Sequence, residues 1–211
     1  MIHYICGMKL FTMNRSYIYI FLFLIICGCS SDISHRLYDV ESFISERPDS
    51  ALKIVESMDR SLLKTKKDRA HHALLYAMAL DKNYIDVTDD SIARVAVDYY
   101  SKKGPEKYEA RALYYLGLSY YYKGEYDKAI LEFTKAEKVA ERSDSLYLGM
   151  TKLKQADTYS YSYNHIETLK CLQSANKIYS SISAEYYVRV TELRLAQAYY
   201  NLNEKEKAEV V

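Results

Sequence analysis

Five histidines, four cysteines and a cluster of aspartates are the residues of this 211-residue sequence with chemistry to offer. His3, His35 and His165 stand apart, and His71 and His72 are adjacent. Neighbouring side chains on a helix diverge by about 100°, so that pair cannot clamp one ion. It is expected to lie exposed on its helix, with His165 packed in a turn. Asp81, Asp86, Asp89 and Asp90 surround the segment NYIDVTDD at 83–90. They lack the alternating acids, the glycine and the distal Glu of a calcium loop, and read as caps and solvation. There is no Gly-rich phosphate loop, no Gly-x-Ser-x-Gly elbow and no His-Glu-x-x-His. No catalytic residue, metal site or cofactor is therefore expected, and the protein is expected not to be an enzyme.

The remaining excess is aromatic: 24 Tyr and no Trp. Only 6 Gly and 2 Pro punctuate the chain, too few for the many tight turns of an all-β fold. With 49% hydrophobic and 27% charged residues the chain is a folded body, not a disordered one. A formal charge of +1 argues against bulk nucleic-acid binding.

The first thirty residues read as an address. Lys9 and Arg15 precede the apolar run from Tyr17 to Ile26, with no acid before it. A basic lead and a 7–15-residue apolar core make a secretory signal, and the run is short for a spanning helix of about 20 residues. It ends in Ile26-Cys27-Gly28-Cys29-Ser30, which resembles the bacterial lipobox. The resemblance implies removal of a signal peptide, 1–28, and acylation of Cys29, which would hold the protein to a membrane. Ser at position 30, by resemblance to lipoprotein sorting patterns, implies the outer membrane facing the periplasm. Losing Lys9 and Arg15 leaves 27 basic against 28 acidic residues, a net charge of −1. Cys171 then remains as the one free thiol, expected to be a buried small hydrophobe.

The body is organised by an internal repeat. Gly117, Ala156 and Ala196 are separated by 39 and 40 residues, each within a similar pattern. In the first copy Leu113, Leu116, Gly117 and Tyr120 share one helical face. Gly124 and Tyr126 mark a turn, Gly124 suited to a left-handed exit, and Ala129, Phe133, Ala136 and Ala140 form a second face. Residues 110–143 resemble the tetratricopeptide repeat, a helix–turn–helix of 34 residues. The resemblance implies an all-α fold: antiparallel helix hairpins stacked as a TPR α-solenoid. A second copy, 149–182, carries Lys152 and Gln155 where apolar residues should stand. A partial third occupies 189–211.

Upstream, 34–109 reads as looser TPR-like hairpins. Stripes fall at Leu37, Val40, Phe43 and Ile44; at Leu52, Val55, Glu56 and Met58; over 65–82; and at Ile92, Val95, Ala96 and Tyr99. About nine helices in about five hairpins are expected. The run Ala79–Asp86 is similar to segments of tetratricopeptide lipoproteins of Bacteroidetes, and the final hairpin reads as truncated.

In the resembled family, partners bind the concave face lined by the first helix of each hairpin. Carried over by position, that face would present Arg111, Tyr114, Leu118, Tyr121 and Tyr122; then Met150, Leu153, Asp157, Ser160 and Tyr161; then Val190, Leu193, Gln197, Tyr200 and Asn201. Tyrosine offers a broad apolar body with a polar tip at low rotamer cost. The expected function is that of a lipid-anchored scaffold or periplasmic sensor module binding a protein or peptide partner, with no nucleic acid. Two alternatives stay open: a glycan-binding outer-membrane lipoprotein of the starch-binding type, and the sensor fragment of a longer membrane-bound regulator.

Overall fold

The structure, a computed structural model, describes residues 33–210. The expected signal peptide, 1–28, and Cys29 lie outside the described residues. Among those residues ten α-helices form and no strand. They are α1 (33–43), α2 (Pro48–Ser57), α3 (Lys66–Lys82), α4 (Ser91–Tyr100), α5 (Glu106–Tyr122), α6 (Tyr126–Ala140), α7 (Ser145–Tyr161), α8 (His165–Ser181), α9 (Glu185–Asn201) and α10 (Lys205–Val210). A single 3-10 turn, Arg60–Leu62, precedes α3. From α2 onward each helix packs on the next, and α5 also touches α3 and α7, so α3, α5 and α7 lie side by side.

Local chemistry sets the ends. Thr65 Oγ1 accepts from the Asp68 amide at 3.0 Å, and Asp68 Oδ2 takes the Thr65 hydroxyl in return, a reciprocal cap for α3. Asp144 and Asn164 cap α7 and α8 by accepting from Tyr147 N and Glu167 N, each at 3.2 Å. The aspartates before α4 divide their work: Asp89 accepts from Ser91 N at 2.9 Å, whereas Asp90 pairs with Arg94 at 2.7 Å. Gly124, at φ +80°, makes the left-handed exit from α5. The equivalent turn residues of other hairpins are Tyr84, Tyr163 and Asn203, at φ 59°, 56° and 62°. L-residues with side chains are strained there.

Packing follows the small residues. A Cβ on Gly117 would stand 2.6 Å from Phe133 Cδ1, so α5 and α6 approach as closely as glycine permits. Gly149 serves the same purpose between α7 and α8, facing Tyr179. Two cores result. One runs from α1 to the start of α7; the other joins α7, α8 and α9 around Leu153, Leu172, Ala175 and Tyr179. Between them lies a polar seam. Glu137 accepts from Lys152 Nζ at 2.6 Å and from Gln155 Nε2 at 2.9 Å. That arrangement explains how the second repeat tolerates polar residues at two apolar positions.

Three expectations need correction. His71 and His72 are buried, not exposed, because α1 and α2 close over that face of α3. In α4 Ala96 is buried as expected and Ile92 and Tyr99 pack partly against the core, but Ala93 and Tyr100 are the other buried residues and Val95 faces out. In α2 Val55 and, just beyond its end, Met58 are buried as expected and Leu52 packs against the core, but Ala51 joins them and Glu56 is exposed.

Candidate functional site

Two hollows open along the row of odd-numbered helices. The first, about 610 Å³, is bounded by α1 (Tyr38, Glu41), α3 (Met78, Lys82), α5 (Lys107, Tyr108, Arg111), α7 (Leu146, Tyr147, Met150) and α9 (Tyr187). Glu41 is its electrostatic centre. Its carboxylate accepts from the Tyr108 hydroxyl at 2.8 Å and from Arg111 Nη1 at 3.3 Å, and His71 Nε2 stands 3.4 Å away. Burial alone would raise Glu41, but the bonds from His71 and Tyr108 and the charge of Lys107 hold it below the usual carboxylate range. Arg111 also donates Nε to Asp144 Oδ2 at 2.8 Å and lies 4.9 Å over the Tyr147 ring. His71 Nδ1 meets the Tyr100 hydroxyl at 3.2 Å, and its ring packs on Tyr38 and Tyr108.

The second hollow, about 410 Å³, lies at the far ends of α5, α7 and α9, with α8 behind. Tyr121, Tyr122, Lys154, Asp157, Tyr161, Arg194, Gln197 and Asn201 border it. Lys154 sits 5.1 Å over the Tyr121 ring and 3.4 Å from Asp157, which also pairs with Arg194. Tyr161 stacks flat on Tyr126, centroids 5.4 Å apart and planes 11° apart, and is still 60% exposed. Burial, then the charge of Asp157, pushes the Tyr121 hydroxyl well above the usual phenol range.

Of the residues expected on the concave face, Arg111 and Met150 border the first hollow. Tyr121, Tyr122, Asp157, Ser160, Tyr161, Gln197 and Asn201 border the second. Tyr114, Leu118 and Leu153 do neither, for they are buried in the two cores. Tyr114 is wedged between Phe133 and Tyr147, centroids 5.9 and 5.5 Å away, because α7 closes over the middle of α5. Leu193 and Tyr200 stand 75% and 62% exposed on α9 outside both hollows, and Val190 is half-buried against the second core. The expected repeat-signature residues Leu113, Leu116, Gly117, Tyr120, Ala129, Phe133 and Ala136 are all buried between α5 and α6.

The contributions of α1 and α3 were missed in the sequence, as were Tyr108, Tyr147 and Tyr187. A signal for the tyrosines existed: they recur at separations of 39 and 40, the spacing of the repeat anchors. Chemically, both hollows are aromatic clefts in which Arg111, Lys107, Lys154 and Arg194 pair with carboxylates, while Lys82 has no ion pair among the described residues. Cys171 is buried, its thiol pushed up to about 11 by desolvation, which makes it a poor nucleophile. Among the described residues no three His, Cys, Asp or Glu converge as a metal site, and no helix is long and apolar enough to cross a membrane.

A family model described as tetratricopeptide repeat matches residues 110–143. The structure resembles the nearly identical TPR-like repeats assigned to a kinesin light chain of Podosopora anserina, with a TM-score of 0.60 and 14% identity. The match covers 85% of this chain and 91% of that one. A single-substitution variant of the same protein gives a TM-score of 0.61 at the same identity and coverage. No curated protein matches the chain. Residues 110–143 are thus a tetratricopeptide repeat, and the described chain is an all-α solenoid of that type.

Proposed function

We propose that this protein is a non-catalytic, lipid-anchored scaffold or sensor module that captures an extended segment of a protein partner along its inner face. Tetratricopeptide repeats generally mediate protein–protein interaction. The observation that carries the reading is the pair of hollows on the odd-numbered helices, bordered by tyrosines of α1, α5, α7 and α9 in the first and of α5 and α7 in the second. Tyr161, Tyr122, Met150 and Leu146 offer apolar area where a partner can bury it, and the surrounding ion pairs fix orientation. The membrane half of the proposal rests on the Cys29 motif. Acyl chains at Cys29 would confine the search for a partner to the bilayer surface.

Photo-crosslinkers at Tyr161 and Lys82, on the inner face, and at Leu131, exposed on α6, test the first half. A discrete adduct from the inner positions alone is expected. Equal adducts from Leu131 would overturn the groove. The intact mass of the membrane-extracted protein tests the second half, with acylated Cys29 at its N-terminus as the expected species.

One observation favours a glycan as the ligand instead. The flat Tyr126–Tyr161 stack presents an open ring face beside the amides of Gln197 and Asn201, a platform suited to a sugar ring. Saturable quenching of tyrosine fluorescence by a polysaccharide would select that reading.

A further inference from the structure

A third hollow opens to solvent away from the inner face, bordered by the 3-10 turn, α3 and α4, with Arg60 and Arg69 exposed at its rim. Its volume is about 280 Å³. Arg60, Leu63, Arg69, His72, Ala73, Tyr76, Ser91, Ile92 and Val95 line it, so both charged residues in its wall are arginines. Elsewhere the arginines of the hollows are already held. Arg111 binds Glu41 and Asp144, and Arg194 binds Asp157. The Arg60 side chain makes no ion pair and no hydrogen bond among the described residues, its carbonyl alone accepting from Leu63 N at 3.1 Å. Arg69 donates Nη1 to the Leu63 and Lys64 carbonyls, at 3.0 and 3.1 Å, and has no carboxylate partner among them.

The carboxylates around this hollow are engaged. Asp59 accepts from Ser61 N and Oγ, and Asp89 accepts from Ser91 N and Oγ, all within 2.9 Å. Glu56 takes the Tyr76 hydroxyl at 3.4 Å. His72, only 6% exposed, supplies a further polar group. Its Nε2 meets the Val55 carbonyl at 2.9 Å, so Nε2 carries the proton. Nδ1 is left as an acceptor with no partner among the described residues. Leu63, Ala73, Ile92 and half-exposed Val95 supply an apolar wall, and Tyr76 an aromatic one.

We infer that this hollow binds a small oxyanion carrying an apolar or aromatic body, held by the Arg60 and Arg69 guanidinium groups with its body against Leu63, Ile92 and Tyr76. Guanidinium forks match the oxygens of phosphate and carboxylate, and two such groups with no carboxylate partner in one concavity leave an anion-shaped deficit. The hollow is at the small end of ligand sites, which start near about 300 Å³. A phosphate monoester with a single ring or a short chain fits it. The same chemistry is offered by a free metabolite and by the headgroup of an anionic lipid.

The test uses the full chain with labelled histidine and follows the imidazole resonances, His35, His71 and His165 serving as internal references. Phenyl phosphate should shift His72 saturably and bind about tenfold or more tighter than inorganic phosphate. Phenol at the same concentration should leave His72 unmoved. Arg60→Gln, which has no intramolecular bond to lose, should weaken phenyl phosphate about tenfold with helicity unchanged, and Arg60→Lys should restore part of it. Co-sedimentation with phosphatidylglycerol vesicles but not phosphatidylcholine vesicles, lost in Arg60→Gln, would identify the headgroup as the source. Soluble binding without co-sedimentation would identify a free anion. An unmoved His72, or unaltered binding by Arg60→Gln, overturns the site.

Discussion

Gly149→Ala should destabilise the protein, although alanine is the better helix former. In an open helix position the exchange would gain about 1 kcal/mol. Here the new Cβ would lie 2.5 Å from Tyr179 Cε1 and 2.8 Å from Cζ. Tyr179 is fully buried, and its other face stacks on Tyr187 with centroids 4.7 Å apart, so the ring cannot withdraw. Either α7 moves off α8, or Tyr179 leaves its rotamer and the stack with α9. Overpacking of that kind costs about 1–3 kcal/mol, and with both sides of the ring pinned the upper part of that range applies. The net loss is about 1–2 kcal/mol, which for a chain of this size lowers Tm by roughly 2–8 °C. Thermal and denaturant unfolding followed by circular dichroism measure it. The double variant Gly149→Ala/Tyr179→Leu separates clash from propensity. With room restored, adding Ala to the Tyr179→Leu background should be neutral or stabilising, giving a coupling energy above about 1 kcal/mol. A single Gly149→Ala variant more stable than the parent would refute the close approach of α7 and α8.

Three further outcomes are expected. Tyr163→Gly should stabilise by up to about 1 kcal/mol in chemical denaturation, since the tyrosine is 83% exposed at φ 56° and the left-handed strain it relieves exceeds the entropy that glycine adds to the unfolded chain. Glu137→Ala should cost about 1–3 kcal/mol by the same assay, because it strips Lys152 and buried Gln155 of their shared acceptor; Glu137→Gln should recover part of the loss. Acid should destabilise in two stages, read as unfolding free energy against pH. Burial holds the His72 imidazole below its ordinary value of 6.5, so that stability is present above 6.5 and is lost as pH falls below it. Glu41 is held below its ordinary 4.5, so its contribution fades only as pH falls further, and His72→Gln and Glu41→Gln should flatten the two stages separately.

What the sequence made legible was whatever repeats. Gly117, Tyr120, Gly124 and Phe133 announce a hairpin by spacing alone, and the structure builds α5 and α6 on those residues. The loop at 83–90 and the helix before it were legible because propensity and cap chemistry agree there. The inner face was less so. Position within a repeat says which way a side chain points, but not whether the next hairpin covers it. Tyr114 and Leu193 are equivalent by alignment, yet Tyr114 is sealed under α7 while Leu193 is open. The burial of His71 and His72 was invisible for a related reason. It depends on α1 and α2, whose patterns are weak, closing over a helix that reads as apolar on most sides. The third hollow joins Arg60, His72 and Ser91 across three elements, and no local motif links them.

The pairing of charges on the inner face constrains how a partner can be held there. Arg111, Lys154 and Arg194 each have a carboxylate within 4 Å. A partner's acid that took one of these cations would strand Glu41 or Asp157 in a half-buried site, and leaving a charge unpaired there costs more than a new pair returns. Electrostatics on this face therefore selects against wrong partners more than it rewards the right one. The gain must come from the open aromatic and aliphatic surface of Tyr161, Tyr122, Leu146 and Met150, where nothing has to be broken. It follows that capture through the inner face should weaken little between low and moderate salt. Binding by the Arg60–Arg69 hollow, whose cations have no internal carboxylate, should weaken steeply over the same range. The two sites are distinguishable in a single salt titration of the intact protein.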